Sequence, residues 1–168
     1  MNGPVIDTVD HLANLDPRGE TFAARRQRPE YVAGVEQCRE SVLQPDDDLQ
    51  LSTVLRTALA VRMARLVGNQ AQTEYYQQRL FTSNPDSLHQ RIARGEALLM
   101  DDPARLRAIV RHCEGVTVSP AQSRREDIEQ LTDAGLRPAQ IVALSELIAF
   151  INFEARVISG LAQLEALA

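Results

Sequence analysis

The run VRMARLVGNQAQTEYYQQRL, residues 61–80, passes from an arginine-dotted apolar segment through a Gly-Asn break into a polar segment with paired tyrosines. A helix, a short turn and a second helix often mount a reactive pair, two cysteines at Cys-x-x-Cys spacing being the usual case. Here the positions at that spacing are Asn69 and Gln72. Their amides can neither attack a peroxide nor close a disulfide. The thiols of the chain are Cys38 and Cys113, and its histidines are His11, His89 and His112. No two of these five are spaced as a zinc or Cys-x-x-Cys site requires. Cys38 shares a helical face with Tyr31, Val35 and Val42, and Cys113 shares one with Leu106, Ile109 and Val110. Each cysteine is therefore expected to pack as a small hydrophobe whose thiolate is disfavoured. His112 adjoins Cys113, but consecutive helical positions diverge by about 100°, so no Cys–His pair is implied. Cys113 is the candidate for any single-cysteine chemistry.

A second constellation lies near the C-terminal end. Ser145, Asn152, Arg156 and Ser159 fall in one narrow arc of an otherwise apolar helix. Facing water, that arc is a wetted stripe. Facing a cleft, Arg156 becomes a fixed cation for an anionic ligand with Asn152 beside it, because the planar guanidinium fork matches a carboxylate. Glu146 lies off the arc and is a weaker base. Of Tyr75 and Tyr76, one ring should point inward and the other should sit at the boundary; a hydroxyl reaching a cleft could donate a proton. Arg56, Arg62 and Arg65 stand in an apolar helix and would need carboxylate partners if buried. The candidate ligand set is Arg62, Asn152, Arg156 and Tyr76.

The charge inventory excludes several functions. All 18 basic residues are arginine, with no lysine. Schiff-base catalysis and a Walker-type phosphate lysine are thereby ruled out, since arginine stays protonated. The net charge is −5, and the single basic run is Arg25, Arg26 and Arg28. Nucleic-acid binders carry a basic face, so nucleic acid is not an expected partner. No stretch is apolar for the ~18 residues that a membrane span needs. The opening residues, MNGPVIDTVDHLANLDPRGE, have no basic region before an apolar run and do not read as a secretory signal. The expectation is a cytoplasmic protein with no cofactor and no metal, folded as one domain over 1–168, with residues 1–20 loosely ordered.

The elements that must hold these residues are helical throughout. Pro29 suits the first position of a helix to about Leu43, which Pro45 ends. Further helices are expected over about 52–67, from the break at Gly68 onward, from Asn84 or Asp86 to Gly95, and from Pro103 with Asp102 as cap to Gly115. GVTVSP reads as an extended or turn segment. Ser123 and Glu126 form a capping box for a helix ending at Gly135. The last helix is expected from Pro138 to about Leu164. No run alternates with period two, so the fold class is all-α, with seven or eight helices. The helix from 54 to 67 and the last helix are apolar on two sides, as a central helix or one shared with a second subunit would be. At 1.5 Å per residue the last helix would span roughly 40 Å, which favours a homo-oligomer.

The pattern L-S-x-x-x-R-x-x-x-A at Leu51 to Ala60, the break at Gly68 and the tail DAGLRPAQIVALSELIAFINFEARVISGL together resemble the alkylhydroperoxidase D and carboxymuconolactone decarboxylase superfamily. The tail is similar to the last helix of its peroxidase-related branch, and the resemblance is closest to members described only as carboxymuconolactone decarboxylase domain proteins. It covers roughly residues 10 to 165. Redox-active members use a cysteine pair activated by a glutamate and a histidine. That pattern falls on Thr57 at the glutamate, Asn69 and Gln72 at the cysteines and Tyr76 at the histidine. None is a chemical substitute, so thiol-pair peroxidase activity is not expected. The resemblance implies a small-anion-binding or accessory helical oligomer. The alternative is an enzyme, either a cofactor-independent lyase or isomerase acting on a carboxylated substrate or a one-cysteine antioxidant using Cys113.

Overall fold

The computed structural model describes residues 7–167. Among these residues every regular element is helical: α1 Thr8–Leu12, α2 Glu20–Arg25, α3 Pro29–Leu43, α4 Thr53–Leu66, α5 Gln70–Thr82, α6 Ser87–Arg94, α7 Ala104–Val118, α8 Arg125–Asp133 and α9 Pro138–Glu165, with a single 3-10 turn at Pro120–Gln122. The all-α class is as expected, with α1 and α2 added to the expected helices. The expectation of loose order for residues 1–20 lies outside the described residues as far as residue 6. From there Asp7 caps α1 by accepting the Asp10 amide at 2.8 Å. Asp7 and Asp10 then receive Arg25 at 2.7 and 2.6 Å, and Asp10 also receives Arg26.

Helix α4 is the axis of the bundle. Every residue from Leu55 to Ala64 is buried, and the helix packs against α3, α5, α6, α7 and α9. The two-sided apolarity of α4 thus reflects a central position. The stretch from Leu55 to Ala64 has no solvent face for Arg56 or Arg62, while Arg65, one residue beyond it, is exposed. Arg56, 2 % exposed, was expected to need a carboxylate; instead it donates to the Leu51, Val42 and Asp48 carbonyls at 2.6, 2.9 and 3.1 Å. It thereby satisfies the end of α3 and the acidic turn before α4, where helix geometry leaves carbonyls without partners. Arg62 meets Glu114 at 2.9 Å and the Ile92 and Glu96 carbonyls at 2.9 and 3.0 Å.

Turn chemistry sets most boundaries. Ser52, Asn69 and Asp86 cap α4, α5 and α6 through their side chains. Gly68, at φ +72°, allows the chain to reverse between α4 and α5. Three boundaries differ from expectation. Helix α7 starts at Ala104 after Pro103, and Asp102 accepts the Leu99 amide at 2.6 Å instead of capping it. Gly115 does not close α7, which runs on to Val118, so the first four residues of GVTVSP are helical. Open space around Gly115 and the apolar Val116 and Val118 leave nothing there to end the helix before Pro120. Helix α8 starts at Arg125, not at a Ser123 box; Asp127 accepts the Arg124 amide at 2.8 Å.

Candidate functional site

Helix α9 carries two polar constellations. One faces α3 and α5. Arg39 and Glu154 are both completely buried there. Arg39 lies on the stripe of Val35, Val42 and Leu43, and Glu154 on that of Ile151, Ala155 and Ile158. A charge amid an apolar stripe needs an opposite charge, and these two provide it. Arg39 Nε and Nη2 donate to Glu154 Oε1 at 2.8 and 2.5 Å, and Nη1 donates to Glu36 at 2.5 Å. Glu36 also accepts the Thr8 amide at 2.9 Å, which ties α1 to the same cluster.

The second oxygen of Glu154 accepts Tyr76 Oη at 2.5 Å and Gln72 Nε2 at 2.9 Å. Gln72 Nε2 also donates to the Ile151 carbonyl at 3.1 Å. Asn69 Oδ1 caps α5 by accepting the Gln72 amide at 2.9 Å, while its Nδ2 reaches the Ala155 carbonyl at 3.1 Å and Ser159 Oγ at 3.2 Å. Four donors thus fill the acceptor capacity of the carboxylate. Thr57, also buried, back-bonds to the Thr53 carbonyl at 2.8 Å within its own helix. Gln72 Oε1 is a buried oxygen with no donor among the described residues.

The electrostatics follow from enclosure. Burial pushes the Tyr76 phenol well above its ordinary value, and the charge and hydrogen bond of Glu154 push it the same way. Tyr76 therefore stays a donor across the physiological range. Burial disfavours the charge on Arg39, but Glu154 and Glu36 outweigh that and raise its proton affinity. Tyr75, half-buried, meets the Tyr76 ring edge-on at 5.1 Å, the expected division into one inward and one boundary tyrosine.

The other constellation faces α7. Asn152 donates to Thr117 Oγ1 at 3.1 Å and to the Ile148 carbonyl at 3.0 Å. Arg156 is exposed and places Nη1 2.7 Å from the Asn152 carbonyl. Both line a cavity of about 420 Å³ with Ser145, Ile148, Ala149, His112, Val116, Pro120, Ser123 and Ile128. No carboxylate among the described residues pairs with Arg156. Burial lowers the proton affinity of His112, with Asp127 acting weakly the other way.

Of the four expected ligand residues, the structure brings Asn152 and Arg156 to one cavity. Tyr76 is 0 % exposed and bound to Glu154, and Arg62 lines a different cavity with Glu114, Arg107 and Gly95. Cys113 is wholly buried, and burial pushes its thiol strongly up, followed by the nearby Glu114. Cys38 corrects the sequence reading. It is exposed, because Gly34 and Ala149 leave its side of α3 uncovered along a groove of about 730 Å³. Partial burial and the facing Glu146 still hold that thiol above the ordinary cysteine value. Arg39 and Glu154 were not singled out from the sequence. Their signal was there, in opposite charges each embedded in an apolar stripe. Among the described residues no three metal-ligating side chains converge, and no helix is long and apolar enough to cross a membrane.

These features describe an all-helical bundle with a closed, salt-bridged polar centre and a separate arginine-bordered cavity. The fold is shared with the 1.70 Å crystal structure of an uncharacterized peroxidase-related protein from Silicibacter sp. TM1040, at a TM-score of 0.59 and 19% identity, over 96% of this chain and 88% of that one. No protein-family model matches the chain. No curated protein matches it either.

Proposed function

We propose that the chain is a member of the alkylhydroperoxidase D and carboxymuconolactone decarboxylase superfamily that has no thiol-pair chemistry and binds a small organic anion, as an accessory or ligand-binding protein. The fold shared with a peroxidase-related protein supports the kinship. The closed centre argues against peroxidase chemistry. Asn69, Gln72 and Tyr76, all on α5 or its cap, direct their side-chain donors at α9: at the Ala155 and Ile151 carbonyls and at Glu154, which is 0 % exposed. A hydroperoxide would find neither sulfur nor space there. Cys113 is equally enclosed, which argues against the one-cysteine reading.

The observation that carries the binding reading is the shared cavity of Arg156 and Asn152. Its volume, about 420 Å³, falls within the usual span for small-ligand pockets. A ligand that binds the native state raises its apparent stability. In a thermal-shift screen against small carboxylates, the unsubstituted protein should gain melting temperature and Arg156→Gln should not. A screen in which no carboxylate shifts the protein, or in which both proteins shift alike, removes this reading.

The proposal includes self-association through the face between α3 and α9. Tyr31 and Phe153 are 55% and 45% exposed beside the groove that Val35, Val42 and Phe150 line. Exposed contiguous apolar surface of this kind marks an interaction surface more often than an idle one. Sedimentation velocity should show a homo-oligomer that Phe153→Glu dissociates. A monomer at all concentrations sinks this part alone.

A further inference from the structure

Resting on the reading of the Arg156 cavity as an anion site, we propose that its ligand is an amphipathic monocarboxylate, an acid with one charged end and an unbranched or ring-like apolar body. The chemistry of the cavity is divided. Arg156 stands on the rim, with Nη1 fixed on the Asn152 carbonyl at 2.7 Å. Asn152 is itself held by Thr117 and the Ile148 carbonyl, at 3.1 and 3.0 Å. The guanidinium is thus positioned through a buried neighbour, while its remaining N–H groups have no carboxylate among the described residues. Such a fork accepts one carboxylate in the bidentate manner.

The lining has an apolar part, Ile148, Val116, Ile128, Ala149 and Pro120, of which Ala149 and Pro120 are exposed, beside the polar His112, Ser123 and Ser145. Ile148 is 2% exposed, and Ile128, at 40%, stands at the opening. A second charge on the ligand would have to leave water for these side chains without a partner, which is costly. A hydrocarbon body would gain from the same contact. His112, Val116 and Ser123 also border a second cavity of about 210 Å³, whose other lining residues include the charged Arg111 and Asp127. The cavity of about 420 Å³ by itself has room for an acid longer than two or three carbons.

The test is a calorimetric titration of the whole chain with acetate, butanoate, hexanoate and octanoate. 1-Hexanol serves as the uncharged control and hexanedioate as the doubly charged one. Each is repeated on Arg156→Gln. Affinity should rise about fourfold per methylene buried, until the cavity is filled. Hexanol and hexanedioate should bind at least tenfold more weakly than hexanoate, and Arg156→Gln should lose the difference between hexanoate and hexanol. Arg156-dependent binding of acetate and hexanoate with equal affinity would overturn the amphipathic assignment and leave the anion site standing. Equal binding of hexanol and hexanoate would overturn it too, as would tighter binding of hexanedioate. Carboxylate binding untouched by Arg156→Gln, or absent throughout, would end both readings. Arg156 is exposed and bonds only within its own helix, so the variant is expected to fold; a native circular-dichroism spectrum checks this.

Discussion

Glu154 and Arg156 are two residues apart on α9, so they point about 200° from one another. The carboxylate goes into the core and the guanidinium goes to a cavity mouth. At the first, every donor nearby has been drawn in: two nitrogens of Arg39, the Tyr76 hydroxyl and the Gln72 amide. At the second, a cation stands over apolar surface with no carboxylate among the described residues. A saturated charge can hold helices together but has no free valence to offer a substrate. An unsaturated one contributes little to the fold and can contribute to binding. The comparison separates a place that looks like an active site by sequence position from a place that can act as one by geometry.

The sharpest way to break this contrast is to remove one member of the closed centre. Glu154→Leu leaves the Arg39 guanidinium buried with only Glu36 to face, strands the Tyr76 hydroxyl and leaves Gln72 Nε2 only the Ile151 carbonyl. Loss of one partner from a buried pair costs about 3–5 kcal/mol, whereas exchanging both for apolar residues can be nearly neutral. Urea denaturation should therefore show a large loss for Glu154→Leu and recovery of much of it in Arg39→Met/Glu154→Leu. The recovery is expected to be incomplete, because the Tyr76 hydroxyl remains unpaired. A single variant within 1 kcal/mol of the unsubstituted protein, a threshold well below that range, would mean that the centre does not hold α3, α5 and α9 together.

How far the sequence discloses these two places depends on what each is made of. Helix positions were legible because periodicity, Pro29, Pro138, the break at Gly68 and the start near Asp86 are local signals. The end of α7 was not, since Gly115 stops a helix only where the following residues can turn away from it. The absence of thiol chemistry at Asn69 and Gln72 could be read from residue type alone. What replaced it could not, because Arg39 and Glu154 are separated by more than a hundred residues and neither belongs to a motif. The reading of Asn152 and Arg156 as neighbours came from a wheel, and α9 places them so. Arg62 and Tyr76 seemed equally available, but packing encloses both.

Alkaline titration sharpens the comparison with a smaller effect. Tyr76 has its folded-state affinity for the proton raised by burial and then by Glu154. The unfolded phenol ionises at about pH 10, so above that pH the unfolded chain binds fewer protons than the folded one. Stability is then fully present below about pH 10 and falls as pH rises, by at most ~1.4 kcal/mol per pH unit from this group. Cys113, raised by burial, acts in the same direction starting from its lower unfolded value. Comparing the unsubstituted protein with Tyr76→Phe keeps that contribution constant. The variant should be less stable near neutrality, having lost a hydrogen bond to a carboxylate, yet its stability should fall less steeply above pH 10. Parallel curves would mean that Tyr76 is not enclosed as its contacts imply.

The smallest expected effect belongs to the open side. Arg156→Gln removes a bond to the Asn152 carbonyl of the same helix and nothing that bridges to another element. Gln is nearly as good a helix former as Arg, and an exposed substitution away from a cap or buried pair usually stays within about 0.5 kcal/mol. Its urea midpoint should match that of the unsubstituted protein, in contrast with Glu154→Leu, while its response to carboxylates disappears. A loss of stability comparable to that of the closed centre would place Arg156 among the groups that hold the fold. A residue already spent on structure would not be left to meet a ligand, and the two faces of α9 would then differ in exposure but not in kind.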